Sequence, residues 1–170
     1  MINLIVAMTN KGYIGKDNQL LFHIKEDMKR FKELTLNHKV IMGRKTFESL
    51  PNGALEDREN IVITKDENYK ADNITVYNDI LELLSYIRSE EEVFVIGGES
   101  VYKAVEPVAH KIFLTVIYSD KIGDTKFEYQ KENYVMINDF NLHFTKENIP
   151  YQFIDLLNKK YIGDSNEKYI

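Results

Sequence analysis

The stretch Val93-Phe94-Val95-Ile96-Gly97-Gly98 constrains this chain more than any other, because a buried strand must stop there, turn sharply and hand over to a helix. Its apolar run is unbroken, with Glu90-Glu91-Glu92 in front and two glycines behind. A run without polar alternation suits a strand covered on both faces, the usual state in a parallel sheet. Successive glycines open backbone angles closed to other residues and let a ligand approach the bare main chain. The helix that follows, from Ser100 to about Val105, aims its free N–H groups over Gly97-Gly98, which suits an anion. A lone Gly-Gly pair reads more simply as a tight turn, so the ligand reading needs support from other segments.

The chain in order supplies it. Leu4-Ile5-Val6-Ala7-Met8 reads as a first buried strand, and Thr9 to Phe22, with Gly12, Gly15 and Asn18, is too broken for helix or strand. A loop of that length suits either a functional lid or a plain surface excursion. From Ile24 the period becomes helical, with Ile24, Met28, Phe31 and Leu34 on one stripe and Glu26, Lys29, Arg30 and Glu33 on the other side. Asp27 falls on the apolar stripe, where a carboxylate is costly unless something pairs with it. The alternative is an acid near the helix N-terminus, favoured by the macrodipole and tipped toward solvent.

Val40-Ile41-Met42 is a second strand, and it ends in Gly43-Arg44-Lys45-Thr46 before helical Phe47-Glu48-Ser49-Leu50. Two bases and a hydroxyl beside a glycine turn suit phosphate. Neither Gly-x-x-x-x-Gly-Lys-Thr nor Gly-x-Gly-x-x-Gly occurs in the sequence. Asn60 to Thr64, followed by Lys65, and Ile74 to Tyr77 are further strands, and Asn78 is placed to cap a helix from Asp79 to Arg88. A strand around Lys111 to Tyr118, a Gly123-Asp124-Thr125 turn and two strand-like runs, Tyr134 to Ile137 and Tyr151 to Leu157, complete the chain. The last two suggest an antiparallel pair at one sheet edge.

This alternation predicts an α/β fold with a single mostly parallel central sheet, helices on both faces and an antiparallel C-terminal strand pair. Ligands of such sheets gather at strand carboxyl ends. The Gly43 and Gly97 turns, Thr64-Lys65 and the loop after Met8 all follow such ends, so they can share one crevice. The expected organisation is one domain over residues 1–158 and a polar tail over 159–170 with little to bury.

A net charge of −5 argues against broad nucleic-acid binding, and the lack of cysteine removes thiolate metal sites and thiol nucleophiles. His23, His38, His110 and His143 lack metal-ligand spacing, so no metal is expected. With only Met1 before the first strand and no membrane-length apolar segment, a cytoplasmic location away from membranes is expected.

Together these segments resemble dihydrofolate reductase of the bacterial chromosomal type, from Leu4 to about Leu157. Ile14-Gly15-x-x-Asn18 is similar to the family's lid and Asp27-x-x-x-Phe31-Lys32 to its substrate helix. Val40-Ile41-Met42-Gly43-Arg44-x-Thr46-Phe47-Glu48-Ser49 looks like its cofactor segment. Arg58-x-Asn60, Val95-Ile96-Gly97-Gly98 with Tyr102, and Gly123-Asp124-Thr125-x-Phe127 follow in family order.

The resemblance implies hydride transfer from NADPH to dihydrofolate, by a monomer that antifolate inhibitors would block. It implies catalytic roles for Asp27, for Thr115 as its hydroxyl support, and for Tyr102 beside the reacting rings. Ile5, Ala7, Leu20, Met28, Phe31, Leu50, Leu55 and Ile96 would wall the substrate, and Arg58 would hold its glutamate carboxylate. For the cofactor it implies Ala7, Ile14, Gly43, Arg44, Lys45, Thr46, Thr64, Lys65, Ile96, Gly97, Gly98, Glu99, Ser100, Val101, Tyr102 and Thr125, with a cis Gly97-Gly98 bond. Phe22 stands where most members carry tryptophan, and Leu21 and Lys25 replace prolines.

Three rivals differ in what they require. A hydrolase elbow at Gly98-Glu99-Ser100-Val101-Tyr102 would need Asp124 and His143 beside Ser100, yet Tyr102 stands where a small residue belongs. A reductase of the ribosyl chain in flavin synthesis has no need of Asp27. A silent dinucleotide or folate binder would bind without turnover.

Overall fold

The computed structural model describes residues 1–88, 91–139 and 141–163. Strand β1 (Ile2–Thr9) runs through the middle of a nine-stranded sheet, with β7 (Val93–Gly97) and β8 (Lys111–Ile117) parallel to it on either side. Beyond β7 the sheet continues in parallel through β4 (Lys39–Gly43), β5 (Glu59–Ile63) and β6 (Ile74–Tyr77). Beyond β8 it turns antiparallel at β12 (Pro150–Asn158), with β10 (Tyr134–Asp139) as the edge and β11 (His143–Phe144) on the start of β12. This is the mostly parallel sheet with an antiparallel C-terminal pair that the sequence pattern predicts.

Both faces are covered, as unbroken apolar strands require. Leu4 and Val6 of β1 pack with Leu83 of α3 (Ile80–Tyr86) and with Val101 and Val105 of α4 (Glu99–Val105). On the opposite face Ile5 packs in a cluster with Phe47 of α2 (Arg44–Glu48) and Leu34 of α1 (Lys25–Thr35). Val40, Ile41, Val93 and Val95 are wholly inaccessible to solvent. Burying each such side chain contributes about 1.5–3 kcal/mol.

Several expectations need correction. The segment after Met8 is not irregular throughout: β2 (Tyr13–Lys16) and β3 (Gln19–Leu20) form a hairpin that joins β9 (Thr125–Lys126) in a second, three-stranded sheet. Asp17 and Asn18 both take positive φ, the two-residue turn whose twist suits a hairpin. Asp79, not Asn78, caps α3, its carboxylate accepting from the N–H groups of Leu81 and Glu82, and the helix stops at Tyr86. The buried face of α1 is rotated toward Asp27 and Arg30, which leaves Met28 47% exposed. The start of the expected tail is not idle either: His110 stacks on Tyr161 at 3.8 Å between ring centres. Residues 164–170 of that tail lie outside the described residues.

Candidate active site

The carboxyl ends of β1, β4, β5 and β7 open on one cleft of about 550 Å³. One wall is the turn from β4 into α2, with Gly43, Arg44, Lys45 and Thr46, and beside it Thr64 and Lys65 follow β5. The facing wall runs from Ile96 through Gly97-Gly98 to Glu99, Ser100, Val101 and Tyr102. Ala7, Ile14 and Thr125 close the inner end, so every residue given a cofactor role lines this space. Of the substrate residues, Ala7, Leu20 and Ile96 also line it, as does Ser49 at the end of the cofactor-like segment; Gln19 and Ile63 do so without having been singled out from sequence.

The walls meet through glycine. A Cβ on Gly43 would lie 3.3 Å from Val101 Cγ2, and one on Gly98 would lie 3.3 Å from Thr46 Oγ1. Both are tighter than ordinary packing, so side chains there would push the walls apart. Gly97 takes φ +127°, and the Gly97–Gly98 bond is cis. At the outer end Arg44 lies 3.5 Å from Asp66 and 3.7 Å from Glu48, with its guanidinium 5.6 Å from the Tyr69 ring centre. These are exposed pairs of small worth, so the guanidinium remains available to a stronger anion.

A second group gathers where α1 crosses β8 and β12. Thr115 of β8 donates its hydroxyl to Asp27 Oδ1 at 2.5 Å, so the paired reading of that carboxylate holds over the solvent-tipped one. Burial pushes the Asp27 carboxyl above the usual carboxylate range, against the opposing pull of the Thr115 hydroxyl and the Arg30 cation. Tyr102 donates to the Ile5 carbonyl at 2.6 Å, and burial, aided by the charge of Asp27, holds its phenol far above the ordinary range. It stays neutral at any physiological pH.

Ile5, Leu50, Leu55 and Ile96 pack around Val40, Met42, Phe47, Val62 and Phe94. Phe31 is half-buried on α1, while Met28 and Leu20 are exposed. Arg58 is fixed from three sides, donating Nε to Thr35 Oγ1 at 3.1 Å and its terminal nitrogens to the carbonyls of Glu56 and Lys32. Buried Asn60 pins the same loop by exchanging hydrogen bonds with the Leu55 backbone.

The β2–β3 hairpin overhangs the cleft and is tied down by backbone. Asp124 accepts from the Asp17 N–H and gives its own N–H to the Gly15 carbonyl, both at 2.9 Å. Lys121 donates to the Leu21 carbonyl at 2.7 Å and sits 5.1 Å from the Phe22 ring centre. Asn18 reaches the Lys45 carbonyl at 3.3 Å, so the hairpin tip touches the cleft wall. The hydrolase triad is not assembled: Ser100 is exposed on α4, Asp124 serves the hairpin, and His143 stacks on Tyr151 at the far edge of the sheet.

A family model described as dihydrofolate reductase matches residues 1–158. Similar proteins include dihydrofolate reductases of Bacillus subtilis, 35% identical over 94% of this chain and 95% of its own, and of a Buchnera aphidicola strain, 38% identical over 89% and 94%. Among solved structures, an Enterococcus faecalis dihydrofolate reductase complexed with NADP(H) and RAB-propyl aligns with a TM-score of 0.85 at 29% identity, covering 94% of this chain and 96% of that one. The glycine-walled cleft, the carboxylate on its helix and these matches agree, and the chain belongs to the dihydrofolate reductase family.

Proposed function

We propose that this protein reduces 7,8-dihydrofolate to 5,6,7,8-tetrahydrofolate with NADPH, feeding one-carbon metabolism. The observation that carries the reading is the Asp27–Thr115 pair, a carboxyl set in an apolar wall beside a cleft of nucleotide size. The donor set fits the dinucleotide: bare backbone at Gly43, Gly97 and Gly98 suits a pyrophosphate, and Arg44, Thr64 and Lys65 at the outer end suit a 2′-phosphate. Bound there, NADPH supplies the hydride that goes to C6 of the pterin.

The chain supplies the rest. Asp27 accepts hydrogen bonds from the pterin ring N3 and its 2-amino group, and burial raises its proton affinity above that of a free carboxylate, which favours its part in delivering the proton to N5. Thr115 fixes the carboxyl's orientation, and Tyr102, neutral and anchored on Ile5, packs beside the reacting rings. Ile5, Ala7, Leu20, Met28, Phe31, Leu50, Leu55 and Ile96 wall the substrate, with exposed Met28 and Leu20 at its mouth. Arg58, held by Thr35 and two carbonyls, presents its fork to the substrate's α-carboxylate. The hairpin over the cleft excludes water.

No helix among the described residues is long and apolar enough to cross a membrane. We infer a cytoplasmic monomer over residues 1–158, sensitive to antifolates that copy the pterin's donors toward Asp27. Dihydrofolate-dependent NADPH oxidation by the purified protein tests the reading. Oxidation absent despite bound NADPH would refute it and favour a silent binder.

A further inference from the structure

Beneath Asp27 lies a charged pair that neither the helical stripe nor the family motifs account for. Arg30, one turn along α1 from Asp27, forms an ion pair with Asp155 of β12, and their side chains are only 17% and 7% exposed. The guanidinium lies 4.8 Å from the Phe153 ring centre and 5.6 Å from that of Phe113. In the sheet Phe153 stands opposite Thr115 and Asp155 opposite Phe113. Successive inward positions of α1 therefore rest on successive rungs of β8 and β12: Asp27 on the Thr115 rung, Arg30 on the Phe113–Asp155 rung. The result is a row of carboxylate, cation and carboxylate in which Asp155 is buried and Asp27 and Arg30 are half-buried.

We propose that Arg30 and Asp155 are a positioning pair that holds the charge balance under Asp27 and so sets the pH range over which the reaction runs. The proposal rests on the catalytic role given above to Asp27. The Arg30 cation pulls Asp27 toward its ionised form, against the larger push of burial, and left unopposed it would draw the carboxyl away from the protonated form the reaction uses. Asp155 offsets that pull. Its second oxygen accepts from Asn138 at 3.2 Å, which fixes the carboxylate against Arg30. The rings of Phe113 and Phe153 exclude the water that would otherwise screen the row. The other charged or titratable neighbours are Glu26 on α1 itself, whose carboxylate accepts from Tyr151 of β12 at 3.5 Å, His143 of β11, whose ring lies 5.8 Å from that of Phe153, and Tyr102 from α4. Neither Tyr151 nor Tyr102 carries charge in the working range, because burial raises both phenols.

The test compares wild type with Asp155→Asn, Arg30→Met, Arg30→Met/Asp155→Leu and Asp27→Asn. Two readouts are taken: the pH midpoint of single-turnover NADPH oxidation with dihydrofolate, and the carbon-13 titration of the Asp27 carboxyl in the ligand-free protein. Asp155→Asn removes a negative charge and should lower both midpoints by at least about half a pH unit. Arg30→Met should raise both, and the double variant should return toward wild type. Should Arg30→Met fail to fold, Asp155→Asn and the double variant decide. Midpoints that stay at the wild-type value, or that move the same way in both single variants, overturn the proposal, because loss of rate without a displaced midpoint is what a structural pair gives. Asp27→Asn separates the two levels: if its pH profile matches wild type, the role of Asp27 itself falls, whereas a profile it flattens with unmoved Asp155→Asn midpoints removes only the pair.

Discussion

The cofactor cleft and the substrate wall beside it are built differently. The cofactor cleft is made largely of backbone: Gly43, Gly97 and Gly98 bring two strand ends so close that Cβ atoms would crowd Val101, Tyr102 and Thr46. The wall given to the substrate is made of side chains drawn from distant parts of the chain, with Asp27 on Thr115 and Arg58 on Thr35, and with Arg30 on Asp155 beneath it. A backbone site tolerates exposed, weakly paired charges such as Arg44 because shape does most of the holding. A side-chain site depends on every partner being present, since each charge there is partly or wholly buried. Binding and chemistry should therefore separate along this line.

The largest expected effect is on the side-chain wall. Asp27→Asn should slow turnover about 100-fold or more near neutral pH while NADPH binding, measured by fluorescence titration, is kept. Arg58→Leu should raise the Michaelis constant for dihydrofolate about 10-fold or more with a smaller fall in kcat, because the guanidinium grips a remote group. A substrate lacking the glutamate should not distinguish this variant from wild type; equal losses with both substrates would remove Arg58 from that role. On the backbone wall the effect shrinks: Arg44→Ala should weaken NADPH binding roughly 5-fold to 10-fold and NADH binding hardly at all.

The smallest effect has the opposite sign. Burial raises the Asp27 carboxyl in the folded chain, so the stability linked to its protonation is whole below the unfolded pKa and is lost as pH rises through the folded one. Asn carries no charge to bury. Asp27→Asn should therefore melt above wild type at neutral pH, an advantage that closes below about pH 4, where the acid is neutral in both states. A lower melting temperature at neutral pH would show that Thr115 and Arg30 compensate the burial fully.

The same division governs what could be read from the sequence. Strand ends, glycine turns and the bases after them are local signals, and the parallel sheet and the shared crevice follow from them. Asp27 was visible as a carboxylate on an apolar stripe, but its partner lies 88 residues away, and the stripe alone left its burial open. Arg30 falls on the polar side of that stripe, among solvent residues, until Asp155, 125 residues on, is brought beside it. The β2–β3 hairpin escaped for a like reason: its strands are short and its third partner is β9. Asp17-Asn18, both suited to positive φ, was the local signal that could have revealed it. The cap of α3 turned on a choice between adjacent residues of nearly equal capping strength.

The most direct test of the central claim is the pH dependence of single-turnover hydride transfer in wild type and Asp27→Asn. A wild-type rate that falls as pH rises through the raised titration of Asp27, beside a slow and pH-independent variant, is the expected result. A variant whose rate falls through the same pH range as wild type would place the controlling proton elsewhere and contradict the account.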